Sequence, residues 1–250
     1  MRFDLLTIFP GYFASPLSEA IVGKAIDDGL LDVRVVDLRL FSDEPHRKVD
    51  DEAFGGGPGM VLAAPPLFAA IEALRSEEGA PSPHVIYLSP QGRRLDAAFA
   101  RELAARPRLV LVCGRYEGVD ERVREAGLFD GEVSLGDFVL PGGEAAALAL
   151  VEAVSRFVPG VVGEEESVLK DSFEDGLLDH PHYTRPREFR GLAVPEPLLS
   201  GHHERIRRWR RERQFEETAR LRPDLLDRFV PSTPEDRELL ARVARPARTP

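Results

Sequence analysis

In Leu109-Val110-Leu111-Val112-Cys113 five apolar residues follow one another, and Gly114-Arg115-Tyr116-Glu117-Gly118 continues the chain as a glycine-containing loop. Apolar, β-branched runs bounded by turn residues are typical of buried strands. Four more such runs occur in the first 140 residues, at Phe3–Ile8, Val33–Leu38, His84–Leu88 and Glu132–Leu135. Segments with helical periodicity are Pro16–Asp28, Pro65–Glu77, Asp96–Ala105 and Glu144–Phe157. This alternation predicts an α/β domain with a mostly parallel sheet that helices cover on both faces.

The composition changes after Phe157, which indicates a domain boundary. The stretch Pro159-Gly160-Val161-Val162-Gly163-Glu164-Glu165-Glu166 combines glycines, a proline and acids, as linkers and mobile loops do. Beyond about residue 172 the strand signals stop, and Thr233-Pro234-Glu235-Asp236 is typical of a helix start. We therefore predict a first domain at residues 1–160, a flexible linker at 161–172 and a small all-helical domain at 173–250.

The charge distribution leaves two interpretations open. The formal net charge is −10, which by itself argues weakly against a nucleic-acid-binding protein. From Arg185 to Arg213, however, nine arginines stand against four glutamates. A basic segment on an acidic protein can guide a polyanion to one face, or it can be a solvated, arginine-rich helix.

Cysteine usage and hydropathy indicate a reducing, aqueous compartment. Cys113 is the single cysteine, so there is no internal disulfide framework, and its place at the end of an apolar run favours a buried core residue over a nucleophile. The first ten residues lack the pattern of a signal peptide. No uncharged stretch approaches the roughly 18–20 residues that span a bilayer. We expect a cytoplasmic protein that does not enter a membrane.

Three loops that follow predicted strands share an unusual composition. They are Tyr87–Gly92, Cys113–Gly118 and Ser134–Glu144, and each combines glycine, a polar group and an aromatic residue or leucine. In open α/β sheets ligands bind at the carboxyl ends of the strands. The mixture suits a flat ligand such as adenine, although each loop taken alone is more simply a tight turn.

A further glycine cluster, Asp50–Met60, contains Gly55-Gly56-Gly57-Pro58-Gly59. It lacks the Gly-Lys-Ser/Thr ending of a phosphate-binding P-loop, and the chain contains no Gly-x-Gly-x-x-Gly between a strand and a helix. The spacing of the glycines favours two interpretations equally. The cluster is either a backbone against which a phosphate or ribose lies, or a flexible lid.

At this point the motifs become recognisable, because the chain resembles the bacterial tRNA (guanine-N1)-methyltransferases of the TrmD family. The motifs that carry the resemblance run in order along the chain and are Gly55–Met60, Tyr87–Gly92, Cys113–Arg122, Gly142–Glu144, Ser155–Val161, Asp171–Phe173, Leu177–Pro186 and Leu199–His203. Two small departures are Phe54, where tyrosine is expected, and Pro141, where serine or asparagine is common. Pro141 could alter how the cofactor loop closes.

The resemblance implies a SPOUT-type parallel sheet with a C-terminal trefoil knot in the catalytic domain, residues 1–160, and a tRNA-binding domain at 173–250. General rules of chain topology disfavour knots, so the resemblance alone supports this one. It also implies an obligate homodimer with shared active sites. The implied reaction transfers a methyl group from S-adenosylmethionine to N1 of the guanine at position 37 of tRNA, 3′ to the anticodon.

The resemblance assigns the general base to Asp171, and Arg156 is our candidate for stabilising charge on the guanine oxygen. Without the resemblance, Asp171 is more simply a helix N-cap and Arg156 a partner of the helix dipole. The cofactor-binding residues predicted from the three loops are Tyr87, Leu88, Ser89, Pro90, Gly114, Tyr116, Glu117, Ser134, Leu135, Gly136, Asp137, Phe138, Val139, Leu140, Gly142 and Gly143. The predicted tRNA-binding residues are Asp50, Gly55, Gly56, Arg185, His202, Arg208 and Arg210.

The resemblance further suggests assistance by Mg²⁺, with Glu117 near the ion or the sulfonium, but no spacing of residues indicates a metal site. In particular, His180, His182, His202 and His203 lack a convincing ligand pattern. We interpret Trp209 as a core anchor of its helix rather than a platform for a base. Competing hypotheses are an RNA-binding protein without catalysis and a knotted methyltransferase that acts on ribose or ribosomal RNA. A nucleotide hydrolase is disfavoured because the phosphate-loop lysine is missing.

Overall fold

The computed structural model describes residues 1–163 and 170–243, and the chain divides into two units, Met1–Glu165 and Glu166–Pro250. Residues 164–169 of the predicted linker 161–172, and residues 244–250 of the predicted second domain, lie outside the described residues. Within the described ranges no helix is both long and apolar enough to cross a membrane.

A five-stranded parallel sheet forms the centre of the first unit. Its strands lie in the order β2-β1-β6-β5-β7, and all neighbours are parallel. The strands are β1 (Arg2–Thr7), β2 (Asp32–Asp37), β5 (His84–Arg94), β6 (Arg108–Cys113) and β7 (Gly131–Ser134). Every residue of β1 and β6 is buried, as expected for strands covered on both faces. The predicted α/β class with a parallel sheet is confirmed.

Helices cover both faces of this sheet. They are α1 (Ala20–Asp27), α2 (Ala64–Arg75), α3 (Ala97–Ala104), α4 (Arg122–Glu125) and α5 (Glu144–Ser155). Alternate strand residues point to opposite faces. Leu109 and Leu111 of β6 therefore join one apolar cluster with α1, α3 and α5, whereas Val110 and Val112 join the other with α2 and α4.

Two features of the first unit differ from the predictions. Strand β5 continues to Arg94 instead of ending at Leu88, with a register shift against β7 between Leu88 and Arg93. Gly92 permits this path, since a Cβ there would lie 2.4 Å from the backbone of Glu132. In addition, the glycine cluster is the tip of an antiparallel hairpin formed by β3 (Asp50–Glu52) and β4 (Met60–Leu62).

The second unit contains a short hairpin and helices around a small apolar core. The hairpin strands are β8 (Glu188–Phe189) and β9 (Leu192–Ala193), and the helices are α6 (Glu196–Leu199), α7 (His203–Leu221), α8 (Pro223–Leu226) and α9 (Pro234–Val243). The all-helical prediction is therefore corrected: Arg190 and Gly191, with φ of 53° and 79°, form a two-residue turn that pairs the strands. The predicted start of α9 is confirmed, since Thr233 Oγ1 accepts a hydrogen bond from the Asp236 amide at 3.1 Å.

A buried ion cluster joins the amino ends of β1 and β6. Asp4 is 0% exposed; its Oδ1 accepts hydrogen bonds from Arg2 at 2.8 and 3.0 Å, and its Oδ2 accepts one from Arg108 at 2.7 Å. Glu77, after α2, pairs with both arginines at 2.6 and 2.7 Å. Each buried charge thus has an opposite charge within hydrogen-bonding distance, as burial of an ion requires.

Glu77 should make the stability of the first unit sensitive to acid. The hydrogen bonds from Arg2 lower the pKa of Glu77 from 4.5 to about 2. A carboxylate whose pKa is depressed in the folded state stabilises the fold above its unfolded pKa, and this stabilisation is lost as pH falls through the folded pKa. We expect the melting temperature of the wild-type protein to decrease as pH is lowered from about 4.5 to 2. In Glu77→Gln the melting temperature should decrease less over this pH range. Glu78→Gln changes an exposed neighbour and is the control, and its melting temperature should depend on pH as in the wild-type protein. The same pH dependence in all three proteins would contradict the role given to Glu77.

Candidate functional site

A pocket of about 360 Å³ lies where the middle of β5, at residues 87–91, meets the loops that follow β6 and β7. Of the sixteen predicted cofactor-binding residues, all except Gly136 and Asp137 line it. Gly136 instead closes a turn with Ser134, whose Oγ accepts a hydrogen bond from the Gly136 amide at 3.1 Å. The lining residues that were not predicted are Gln91, Arg115, Gly118, Val119, Arg124, Val133, Pro141 and Ala146.

Close backbone packing shapes the floor of this pocket. The Gly143 amide donates a hydrogen bond to the Gly114 carbonyl at 2.8 Å, which holds the start of α5 against the end of β6. A Cβ on Gly143 would lie 2.7 Å from the Cα of Cys113. Two backbones approach each other here more closely than a side chain allows.

Gly143→Ala should therefore disrupt the pocket. The φ of Gly143 is −79°, which alanine adopts without strain, so any effect comes from the clash. Overpacking of about 1–3 kcal/mol corresponds to a loss of ligand affinity of about 5- to 150-fold if the loop moves to relieve it. Calorimetric titration with S-adenosylmethionine, the cofactor that the resemblance implies, measures this loss. Gly163→Ala, where a Cβ meets nothing within 4 Å, is the control, and equal affinities of the two variants would contradict the prediction.

A buried ion pair ties the loop after β6 to the first turn of α5. Arg115 Nη2 lies 2.8 Å from Glu144 Oε2, and Glu144 is 0% exposed. Thr7, at the end of β1, donates its hydroxyl to Glu144 Oε1 at 2.7 Å. The Arg115 guanidinium also lies over the Phe9 ring at 4.6 Å. Three elements far apart in sequence are thus held together beside the pocket.

Tyr87 forms one wall of the pocket. Its ring stacks on Phe129 with centroids 4.9 Å apart, and the Arg124 guanidinium lies 5.1 Å from the ring centroid. Burial raises the pKa of the Tyr87 phenol. Gly114 must lack a side chain, because a Cβ there would lie 2.6 Å from the Tyr87 hydroxyl. The neighbouring Cys113 is 2% exposed, and burial raises its pKa well above the usual value, which confirms it as a core residue.

The glycine hairpin lies beside the loop after β6. The Glu117 amide donates to the Met60 carbonyl at 3.0 Å, and a Cβ on Gly59 would lie 2.4 Å from Glu117 Oε1. Gly55 and Gly56, at the exposed tip, have φ of 90° and 77°, a region that favours glycine. Asp50, in β3, lies in register with Leu62 of β4. The hairpin that carries these predicted tRNA-binding residues thus contacts Glu117, which lines the pocket, through Gly59 and Met60.

The two proposed catalytic residues lie outside this pocket lining. Arg156 is exposed and caps the carboxyl end of α5, ten residues beyond Ala146, which lines the pocket. Ten helical residues extend about 15 Å, so α5 separates Arg156 from the pocket of its own chain. Asp171 belongs to the second unit, where the segment 171–179 is closed by a hydrogen bond from the Asp179 amide to Ser172 Oγ at 2.9 Å.

The predicted tRNA-binding residues of the second unit have distinct surroundings. His202 caps α7, since its Nδ1 accepts a hydrogen bond from the Arg205 amide at 3.3 Å. The Arg208 side chain is 61% exposed and lies 3.5 Å from Glu212. Arg185 and Arg210 line a cavity of about 450 Å³. Arg185, Arg208 and Arg210 are all exposed to solvent.

The surroundings of Trp209 and of two histidines in the second unit differ from those predicted. Trp209 lies outside the apolar core of Leu177, Phe215 and Leu239 and makes edge contacts with Tyr183 and His180, at 6.2 and 6.5 Å. His180 and His182, which showed no ligand pattern in the sequence, lie together with Asp179.

The parallel sheet and the pocket at its carboxyl edge define an α/β protein with a candidate ligand pocket at that edge. The family model described as tRNA (Guanine-1)-methyltransferase TrmD matches residues 1–228. A tRNA (guanine-N(1)-)-methyltransferase of Moorella thermoacetica is 53% identical over 245 residues, which cover 98% of this chain and 97% of that protein. One from Geobacter metallireducens is 51% identical over 240 residues, 96% of this chain and 97% of that protein. The chain belongs to the TrmD family of tRNA (guanine-1)-methyltransferases.

Proposed function

We propose that the protein transfers a methyl group from S-adenosylmethionine to N1 of guanine 37 in tRNA. Family membership supports the class of reaction. The observation that carries the proposal is the pocket, in which β5 meets the glycine-containing loops that follow β6 and β7 at the carboxyl edge of the sheet. Its lining combines apolar side chains with backbone that a flat ring can approach, which suits an adenosine.

The residues of the pocket fit the proposed cofactor. Leu88 and Leu135 offer apolar contacts, and Gly142 and Gly143 line the pocket with backbone alone. Glu117 is the one carboxylate among the lining residues and can face a positive sulfonium. S-adenosylmethionine supplies a methyl group on a sulfonium, whose sulfur leaves as a neutral thioether. Glu117 is also the one carboxylate that this lining offers to Mg²⁺, and the proposed mechanism does not require that ion.

In the proposed mechanism Asp171 accepts the proton of guanine N1. The N1 lone pair is then available to attack the methyl carbon, and negative charge develops on O6. Arg156 donates hydrogen bonds to O6 and stabilises that charge. Holding N1 in line with the bond to sulfur supplies the rest of the acceleration.

We further propose a homodimer in which each active site uses both chains. The position of Arg156 supports this, because it lies about 15 Å along α5 from Ala146 and does not line the pocket of its own chain. Phe9 and Tyr12, which are 43% and 45% exposed, are apolar side chains that a second copy can cover. A knotted chain path through the loops of the pocket and a predominantly helical tRNA-binding domain complete the proposal.

Methyl transfer to defined transcripts tests the function. tRNA transcripts with guanine or adenine at position 37 are incubated with the protein and S-adenosylmethionine labelled in its methyl group. We expect label only in the guanine transcript, mapped to N1. No transfer by folded protein that still binds the transcript would overturn the proposal and favour an RNA-binding protein without catalysis.

The basic helix α7 should contribute to tRNA affinity through phosphate contacts. We expect replacement of Arg208 and Arg210 by Gln to weaken binding and to reduce the slope of log K against log salt by about 1 to 2. Filter binding at several salt concentrations measures both quantities. The matched control replaces Arg220 and Arg222, which pair with Glu217 and Asp224. Equal losses in both double variants would show that Arg208 and Arg210 have no specific role.

A further inference from the structure

Three side chains of the second unit, none of which lines the pocket at the edge of the sheet, converge on one point. Asp179 Oδ2 lies 2.8 Å from His182 Nε2, and Asp179 Oδ1 lies 3.8 Å from His180 Nε2. One ligand atom of each residue lies within 4.8 Å of the others. The two imidazole ring centroids are 4.4 Å apart. One carboxylate and two imidazoles therefore present oxygen and nitrogen atoms to a common small volume.

The orientation of His180 is the arrangement that metal-binding imidazoles adopt. Its Nδ1 lies 3.2 Å from the Pro181 carbonyl, which can only accept a hydrogen bond, so Nδ1 carries the hydrogen. The lone pair is then on Nε2, the atom that faces Asp179. A hydrogen bond from the second ring nitrogen to a backbone carbonyl commonly orients a metal-binding histidine.

The carboxylate is also held in position by the backbone. The Asp179 amide donates to Ser172 Oγ at 2.9 Å, and the His180 amide donates to Asp179 Oδ1 at 2.6 Å. These contacts fix the Asp179 and His180 ligands before an ion arrives. The third ligand, His182, is 71% exposed in its side chain, and its ring can adjust at low cost.

We propose that Asp179, His180 and His182 bind one divalent ion of the zinc class. Zinc–nitrogen and zinc–oxygen bonds of about 2.0–2.2 Å place tetrahedral ligand atoms about 3.4 Å apart. The observed separations, 2.8 Å from His182 to Asp179 Oδ2 and 3.8 Å from His180 to Asp179 Oδ1, lie on either side of this value. Three protein ligands leave a fourth position for water, and both histidines line the 450 Å³ cavity from which water can enter.

The ligand set selects among metals. Imidazole nitrogen suits Zn²⁺, Co²⁺ and Ni²⁺, whereas Mg²⁺ prefers oxygen ligands throughout. Arg185 and Arg210 line the same cavity, and their positive charge reduces affinity for a cation. We therefore expect a dissociation constant for Zn²⁺ of about 1–10 µM, weaker than a four-ligand structural site.

The single tryptophan of the chain provides a direct readout. The Trp209 ring lies 6.5 Å from His180, so Co²⁺ or Ni²⁺ at the site should quench its fluorescence. Tag-free, chelator-treated full-length protein is titrated with Co²⁺ and, by calorimetry, with Zn²⁺. We expect one ion per chain, visible absorption bands of tetrahedral Co²⁺, and no competition from millimolar Mg²⁺.

Single substitutions separate this site from adventitious binding. His180→Gln and His182→Gln should each weaken Zn²⁺ binding at least tenfold, while the exposed His203→Gln should not change it. The His182 ring is mostly exposed, so His182→Gln should fold normally. It therefore tests the site even if His180→Gln does not fold. Wild-type affinity in His182→Gln, or no saturable binding to the wild-type protein, would overturn the proposal. The readout is independent of methyl transfer, so either proposal can fail alone.

Discussion

Asp171→Asn is expected to bind S-adenosylmethionine and tRNA normally and to transfer methyl groups about 10²- to 10⁴-fold more slowly. The amide that replaces the carboxylate has nearly the same shape, but it does not take up the proton of guanine N1 at neutral pH. The nucleophile therefore stays protonated while both substrates remain bound. Single-turnover rates at saturating tRNA isolate this step from binding and product release.

Asp227→Asn is the matched control for the Asp171 variant, because Asp227 is an exposed aspartate of the same unit. It should retain the wild-type rate. If Asp171→Asn keeps most of its single-turnover rate, the base is another group. If it instead loses affinity for tRNA with an unchanged rate constant, Asp171 positions the substrate and is not the base.

Asp4→Asn should produce the largest loss of stability, about 3–5 kcal/mol in the free energy of unfolding. The substitution removes a charge that is 0% exposed and leaves Arg108, 1% exposed, and Arg2, 8% exposed, with a deficit of negative charge. Urea denaturation at constant protein concentration measures the change.

Asp32→Asn is the control for this prediction. Asp32 also faces Arg2, but at 3.9 Å and with 51% of its side chain exposed, so its removal should cost less than about 1 kcal/mol. A double variant that also replaces Arg108 with Met should be less destabilised than the two single changes predict together. A change of less than about 1 kcal/mol for Asp4→Asn would mean that Glu77 alone neutralises both arginines.

The strands of the main sheet could be predicted because each is an apolar run between turn residues. Hairpins β3–β4 and β8–β9 were missed because strands of two or three residues are too short to show a period. Asp50–Glu52, moreover, is wholly acidic. The extension of β5 past Leu88 depends on contact with β7, which no local pattern records. Local periodicity therefore predicts elements that bury their own side chains and misses those that depend on a distant neighbour.

The same distinction applies to the candidate site. Most of the lining residues were predicted because a glycine-containing loop after a buried strand is a local signal. The Arg115–Glu144–Thr7 contacts were not, because Thr7 and Glu144 are 137 positions apart. The histidine and aspartate cluster was missed because imidazole orientation depends on backbone carbonyls. The roles of Asp171 and Arg156 came from family resemblance and remain predictions.

The buried ion cluster and the pocket lie at opposite ends of the sheet. Arg2 is in register with Arg108 at the amino ends of β1 and β6, whereas the pocket lies beyond the carboxyl ends of β6 and β7 and against the middle of β5. A six-residue strand extends about 20 Å, which separates the two regions. Substitutions near Asp4 should therefore alter the cellular abundance of the protein through turnover of unfolded chains, with its choice of substrate unchanged. Substitutions that stabilise the end of the sheet near Asp4 would allow the protein to tolerate destabilising changes in the pocket loops during laboratory evolution.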